Sequence, residues 1–455
     1  MAVFPQVENR RTEPPGASPS LIGGHIRQFM ADRIGFLERQ AQYGDVSGFR
    51  LGKQRAFLVN HPSHIRDLLV VSAHKFEKGR ALQRAKVLLG EGLLTSEHSF
   101  HLRQRRMIQP VFHRDRIEAY SRVMVEYAEM MSGSWESGGV RDIDRDMMHL
   151  TMQVVARTLF GANVDDEADE IGEALSAVIG LFNFLLLPYS EWLSKLPIPQ
   201  ARRFKRASIT LDRVIYRLIE ERRRSNSDRD DLLSLLLAAH DEDDGTSMND
   251  KQVRDEALTL FLAGHETTAN ALTWTWFLLS QHPDHSARLH DELDQVLGER
   301  APTFADIPQL RFTEAVLAES MRLFPPAWTI GRTAIEDHEF DGFQTPKGSV
   351  VLASQWVMHR DERFWPNAGE FIPDRWTTMS VKEATQRFIY FPFGGGVRRC
   401  IGEGFAWTES VLLLATMARR WEMELVPDQA VSARPLITLR PRNGLKMRVI
   451  ARQTP

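Results

Sequence analysis

Apolar positions recur along this chain with two periods, one strand-like and one helical, and the helical one dominates. From Val46 to Pro62, VSGFRLGKQRAFLVNHP carries apolar stretches on either side of a Gly-Lys pair, which predicts a β-hairpin. Beyond it the spacing is helical almost everywhere, so the expected fold class is mainly α with small β-sheets. DKQVRDEALTLFLAGHETTANALTWTWFLLSQ, residues 250 to 281, follows Asn249 as a cap and stops before Pro283. A helix of that length spans roughly 45 to 50 Å, and its second half is apolar on nearly every side. It should be buried and cross one large domain. FDGFQTPKGSVVLASQWV has a Pro-Lys-Gly turn between two strand-like stretches, which predicts a second small sheet, and LITLRPRNGLKMRVI reads as a terminal hairpin.

Pro5, Pro14, Pro15 and Pro19 make residues 1–20 an extended arm. SNSDRDD and DEDDGTSMND flank the apolar segment LLSLLLAAH as surface connections, so residues 21–455 are expected to form a single domain. With 43% hydrophobic and 26% charged residues and a formal charge of -3, the chain has material for a core and no strong field for nucleic acid. The longest apolar run, GLFNFLLLP, is far too short to span a bilayer, and the start lacks a cationic segment followed by an apolar one. A single cysteine cannot form an internal disulfide. These features predict a cytoplasmic, soluble protein with no membrane anchor.

That cysteine, Cys400, lies in FPFGGGVRRCIGEG and precedes GEGFAWTESVLLLATMARRW, which should form an amphipathic helix. A thiol at a helix N-terminus beside Arg398 and Arg399 is favoured as the thiolate, ready to be a ligand or a nucleophile. Gly394, Gly395 and Gly396 allow close backbone approach. An isolated cysteine is more often a small buried hydrophobe, but a core position does not need three glycines and two arginines around it. A cysteine hydrolase would want a histidine base, and none of the fifteen histidines falls in a recognisable partner motif.

FPFGGGVRRCIGEG resembles the haem-binding signature of the cytochrome P450 monooxygenases, Phe-x-x-Gly-x-Arg-x-Cys-x-Gly, matched at Phe393, Gly396, Arg398, Cys400 and Gly402. The resemblance implies the P450 fold, with a long central helix over a buried haem b. It makes the Cys400 thiolate the axial ligand of the haem iron, donating electron density that favours O–O cleavage. Arg398 would pair a haem propionate.

Other stretches extend the resemblance. In RFTEAVLAESMRLFPP, Glu319 and Arg322 share one helical face, a spacing common on solvated helices and weak by itself. It is similar to the family's Glu-x-x-Arg helix, and FIPDRW resembles the later segment that supplies Arg375, with Asp374 and Trp376 as departures from the family's Glu and Phe. Glu319, Arg322 and Arg375 would form a structural network. AGHETT, residues 263 to 268, conflicts with helix propensity. A packing kink, with hydroxyls bonded to carbonyls four residues back, explains it about as well as function does. By resemblance it is the oxygen-binding groove: Ala263 and Gly264 leave space over the iron, Glu266 and Thr267 form the acid–alcohol pair that delivers protons, and His265 is structural. In HLRQRRMIQPVFHRDR, His101 and Arg105 match a helix that touches the propionates, and Arg332 matches a further contact; a solvated basic helix is the alternative.

The implied function is a haem-thiolate monooxygenase that inserts one O2-derived atom into an apolar substrate, by hydroxylation or epoxidation of a small lipophilic molecule such as a lipid or terpenoid. The stretch from Cys400 to Pro455 is too short for a fused reductase, so electrons would come from a ferredoxin or flavodoxin with its reductase, steered towards Arg103, Arg106, Arg114 and Arg399. Substrate contacts are expected from residues 80 to 97, from 180 to 193 including Phe182 and Leu185, and from Trp328, Thr329 and Ile330, with Ala263 in the same pocket. Two alternatives remain: a P450-fold enzyme that rearranges peroxides or dehydrates its substrate, against which Glu266 and Thr267 argue, and a non-enzymatic haem-thiolate sensor.

Overall fold

A computed structural model of the chain describes residues 13–20, 23–161, 174, 199–225, 231–240 and 245–452. Phe182 and Leu185, with the whole stretch 180 to 193, lie outside these. The chain divides into two compact units, one made of Met1–Arg80, Trp328–Gly369 and Val381–Arg399, the other of Ala81–Ala327, Glu370–Ser380 and Cys400–Pro455.

The smaller unit is built on a five-stranded sheet in the order Val46–Leu51, Gln54–Val59, Val350–Ala353, Ile330–Ala334, Phe76–Lys78. The first two strands form the expected hairpin, with Val46 opposite Val59 and Gly52 turning at φ +66°. Phe57, Val59, Phe76, Val351 and Phe391 fill one face. The two strands around the Pro-Lys-Gly turn do not pair with each other. Phe343–Thr345 pairs with His338–Phe340, whereas Val350–Ala353 enters the large sheet, parallel to Gln54–Val59. Register is set by which apolar face reaches the core, and local spacing does not encode that.

The larger unit is mainly helical. Its longest helix, Asp250–Gln281, begins with a reciprocal capping box: Gln252 N donates to Asn249 Oδ1 and Asn249 N to Gln252 Oε1, both at 2.9 Å. Further along, Trp274 stacks on Phe324 with ring centroids 4.1 Å apart and donates its indole N–H to the Leu439 carbonyl at 2.9 Å. Among the described residues no helix is long and apolar enough to cross a membrane.

Two expectations change here. Helix Glu403–Ala418 is not amphipathic: from Thr408 to Ala418 every side chain is buried, because VLLLATMA offers no polar face. The C-terminal stretch is not a hairpin either. Leu439–Pro441 pairs with Ala433–Pro435, and Lys446–Ala451 runs between Trp421–Leu425 and Val140–Asp142 in a separate three-stranded sheet.

The stretch 80 to 97 forms helix Arg80–Leu89 and is then tied to the start of the long helix. Arg254 Nη1 donates to the Leu88 carbonyl at 2.7 Å, Glu91 N donates to Asp255 Oδ2 at 3.0 Å, and Leu93 N donates to Glu256 Oε2 at 2.8 Å. Three consecutive long-helix side chains thus hold the chain as it leaves the short helix. The fit admits no side chain at Gly90, which turns at φ +56° and whose Cβ would lie 2.0 Å from Asp255 Oδ2. Gly90→Ala should therefore cost about 2 kcal/mol or more. Gly133→Ala, where nothing lies within 4 Å, should be neutral or slightly stabilising. Urea midpoints of the two variants check the contrast.

Candidate functional site

The polar motif of the long helix resolves into separate roles. Ala263 is exposed. Gly264 lets helix Ile143–Phe160 pack closely, since a Cβ there would sit 3.0 Å from Val155 Cγ2. His265 is buried, with Nδ1 3.0 Å from the Phe261 carbonyl, and its own carbonyl accepts from Thr151 Oγ1 at 2.8 Å. Burial and the nearby Arg440 hold its pKa low, opposed by the carbonyl contact and by Glu266.

Glu266 and Thr267 turn towards different partners. Thr267 Oγ1 donates to the Ala263 carbonyl at 2.7 Å, and Thr268 Oγ1 to that of Gly264 at 3.2 Å, the back-bonding typical of mid-helix hydroxyls. The carboxylate of Glu266, 3% exposed, accepts at Oε1 from Thr438 Oγ1 at 2.5 Å and from Arg440 Nε at 2.9 Å. Asn270 Nδ2 donates in turn to Thr438 Oγ1 at 3.2 Å. Thr438 and Arg440 were not visible as site residues in the sequence, because they reach Glu266 from more than 170 positions away and carry no motif.

Cys400 is exposed and stands just ahead of helix Glu403–Ala418, separated from it by a turn at Ile401 and Gly402. Arg105, on helix His98–Ile108, is near enough that the Cys400 charge raises its pKa, against burial that lowers it more. One turn earlier His101 is buried, its Nδ1 3.1 Å from the Leu93 carbonyl, which requires the proton on that nitrogen.

In the smaller unit the glycine run is conformationally fixed. Gly394 and Gly396 have φ of +72° and +66°, and a Cβ on Gly396 would lie 2.0 Å from the Leu69 carbonyl oxygen. Phe393 and Arg398 flank it, both half-buried. Arg332 stands opposite Lys78 and Val351 in the sheet. Trp328 is buried, its carbonyl accepting from Ser354 Oγ at 2.9 Å. Thr329 Oγ1 donates to Ala353 O at 3.4 Å, and Ile330 packs against the apolar cluster around Phe391.

Residues 14–446 match the family model for cytochrome P450. The chain belongs to the cytochrome P450 family. It is 41% identical to cyclooctatin synthase of Streptomyces melanosporofaciens, with 94% of each chain covered. It is 38% identical to cyclooctat-9-en-7-ol 5-monooxygenase of the same organism, over 91% of this chain and 89% of the relative. Pentalenene oxygenase of Streptomyces avermitilis is 36% identical, over 96% of this chain and 97% of the relative. The chain is a P450 monooxygenase, an oxidoreductase that uses haem, O2, an organic substrate and electrons from a redox partner.

The residues present suit that cofactor. Among those described, no group of three His, Cys, Asp or Glu side chains could hold a bare metal ion. Cys400 instead offers one soft, accessible ligand with a guanidinium in electrostatic range, a donor set fit for iron already chelated by a macrocycle.

The P450 helix Arg311–Leu323 brings the expected triad together. Arg322 donates to Glu319 through Nε at 2.9 Å and Nη2 at 2.8 Å, and Arg375 Nε donates to Glu319 Oε1 at 3.2 Å. The two departures from the family pattern each gain a partner. Asp374 accepts twice from Arg288 Nη1, at 2.7 and 2.9 Å, and Trp376 Nε1 donates to Glu319 Oε2 at 3.0 Å. Restoring the family residue with Trp376→Phe should remove a donor from a buried carboxylate and cost about 1 to 3 kcal/mol. Trp376→His, which keeps an N–H, should recover part of the loss; thermal and urea unfolding measure both.

Proposed function

We propose that this P450 hydroxylates or epoxidises a lipophilic, terpenoid-like hydrocarbon, with haem b as its cofactor, Cys400 as the iron ligand, and a separate ferredoxin or flavodoxin as electron donor in the cytoplasm. The observation that carries the reading is the complete signature on Phe393, Gly396, Arg398, Cys400 and Gly402 in a chain whose single cysteine is accessible and coupled to Arg105. Bound haem supplies the electron-rich iron at which dioxygen is split, one atom going to substrate and the other to water. His101, Arg105, Arg332 and Arg398 are assigned to the propionates, and the Glu319, Arg322 and Arg375 cluster to holding the polypeptide beneath the cofactor. Thr267 Oγ1 is assigned to pass on a proton received from the side of Glu266.

Support for the substrate class comes from two sources. The relatives named for cyclooctat-9-en-7-ol and pentalenene act on compounds whose names describe alkene skeletons with at most one hydroxyl. In this chain, Ala263, Trp328, Thr329, Ile330 and the stretches 80 to 97 and 180 to 193 are mainly apolar, which suits a pocket with few polar anchors. For the electron donor, the arginines on and after helix His98–Ile108 support an acidic partner. Of these, Arg106 is exposed, Arg103 is bonded to Thr246, and Arg114 lies 5.6 Å from the Phe304 ring centroid.

Cys400→Ser should abolish the red-shifted, thiolate-type band of the reduced carbon monoxide complex; an unchanged spectrum would overturn the ligand assignment. Thr267→Ala should keep substrate affinity, read as the ferric spin-state shift, while product per NADPH falls severalfold and hydrogen peroxide rises. Equal product yield in mutant and parent would show that protons arrive another way.

A further inference from the structure

Glu266 poses a problem for proton delivery. Its Oε1 is already taken by a hydroxyl and a guanidinium, and such an oxygen must lose a donor before it can carry a proton. Arg440, however, does not belong to Glu266 alone. Its Nη2 lies 3.7 Å from Met148 Sδ, and Met148 is one helical turn from Asp144 on helix Ile143–Phe160. From strand Leu439–Pro441 the guanidinium therefore touches both Glu266 on the long helix and the helix that carries Asp144. Asp144 Oδ1 is buried and has no hydrogen-bond partner among the described residues, an open acceptor position within the electrostatic reach of Arg440.

We propose that Asp144, Arg440 and Glu266 form a proton relay in which the arginine and a proton exchange places between the two carboxyl groups. In the observed arrangement Arg440 pairs with ionised Glu266 while Asp144 can hold a proton. When Asp144 gives up that proton, Arg440 swings to the new carboxylate, and Glu266, losing its counter-ion, takes the proton up. No charge is created, since one neutral acid, one carboxylate and one guanidinium stand on each side of the exchange. The proton lost by Asp144 is replaced from solvent, because Asp144 as a residue is only partly buried and sits in the first turn of its helix.

The electrostatics around Asp144 suit this role. Its pKa is raised to about 6, first by burial, with Arg440 lowering it and Asp142 and Glu266 raising it. A group with that value is partly protonated near neutrality and is ionised as pH rises through 6. The other groups facing the cluster do not compete for the proton. His265 is held neutral by burial, Asn270 and Thr438 are uncharged, and Asp146 is paired with Arg141 at Nη2–Oδ1 3.0 Å.

This inference rests on the reading that protons for O2 reduction pass Glu266 and Thr267, and the two can fail separately. Infrared difference spectra of substrate-free protein should show a protonated-carboxyl band that titrates near pH 6 and is lost in Asp144→Asn. Its midpoint should fall in Glu266→Gln and rise in Arg440→Gln, by about half a unit or more. In turnover, Asp144→Asn should lower product per NADPH at least threefold at pH 7 and flatten its decline as pH rises through 6, with the spin-state shift by substrate unchanged. Asp144→Glu should restore much of the yield. Infrared midpoints that ignore both variants, or an Asp144→Asn enzyme as well coupled as its parent while Thr267→Ala is uncoupled, would overturn the relay. An uncoupled Asp144→Asn beside a coupled Thr267→Ala would keep the relay and overturn the Thr267 assignment.

Discussion

Glu319 and Arg322 have no solvent access, and the charge they bury persists only while every donor around it stays in place. Besides Arg322 and Arg375, the carboxylate accepts from the Ile372 amide at 3.0 Å and the Trp376 indole, and Arg322 reaches on to the Glu370 carbonyl at 2.9 Å. Removing one partner from such a cluster typically costs about 3–5 kcal/mol, since the remaining charge cannot return to water. The segment from Glu370 to Trp376 is therefore positioned by electrostatics, on a helix whose other faces are packed with Phe312, Val316, Leu317 and Met321.

A second polar cluster obeys a different logic. Glu266 is also buried, yet its partners are not dedicated to it: Arg440 is shared with the helix bearing Asp144 and Met148, and Thr438 is shared with Asn270. A carboxylate whose donors have other commitments can change state without collapse of the surrounding structure. Glu319 and Glu266, both buried in the larger unit, thus illustrate how the same desolvation penalty acts on a carboxylate with dedicated donors in one place and on one with shared donors in another.

Much of this organisation could be read from local sequence. The long helix, its Asn249 cap and its end before Pro283 follow from periodicity and capping chemistry, and Glu319 and Arg322 announce themselves through spacing together with the family signature. What escaped was non-local. The strand at 350 to 353 and the strands near the C-terminus carry no record of their partners, so the first joins the large sheet where a separate small one is expected and the expected terminal hairpin does not form. A mid-helix glycine such as Gly264 signals close approach without saying of what; in the fold Val155 Cγ2 is one atom that approaches it. Thr438 and Arg440 carry no signal at all, one an ordinary bend residue and the other an ordinary strand residue until the fold sets them against Glu266.

The tie between the long helix and the stretch after Leu89 bears on how such an enzyme could diversify. Two glycines there are packed against the helix: a Cβ on Gly90 would strike Asp255, and one on Gly92 would come within 2.2 Å of Thr259 Oγ1. Both positions are closed to side chains, while Val87 between them and the preceding strand is 73% exposed and unconstrained. A combinatorial library that randomised this region evenly would spend most of its members on unfolded protein. One that held Gly90, Gly92 and the Arg254–Glu256 triplet fixed, and varied the short helix before them, would explore new surface chemistry on an intact frame.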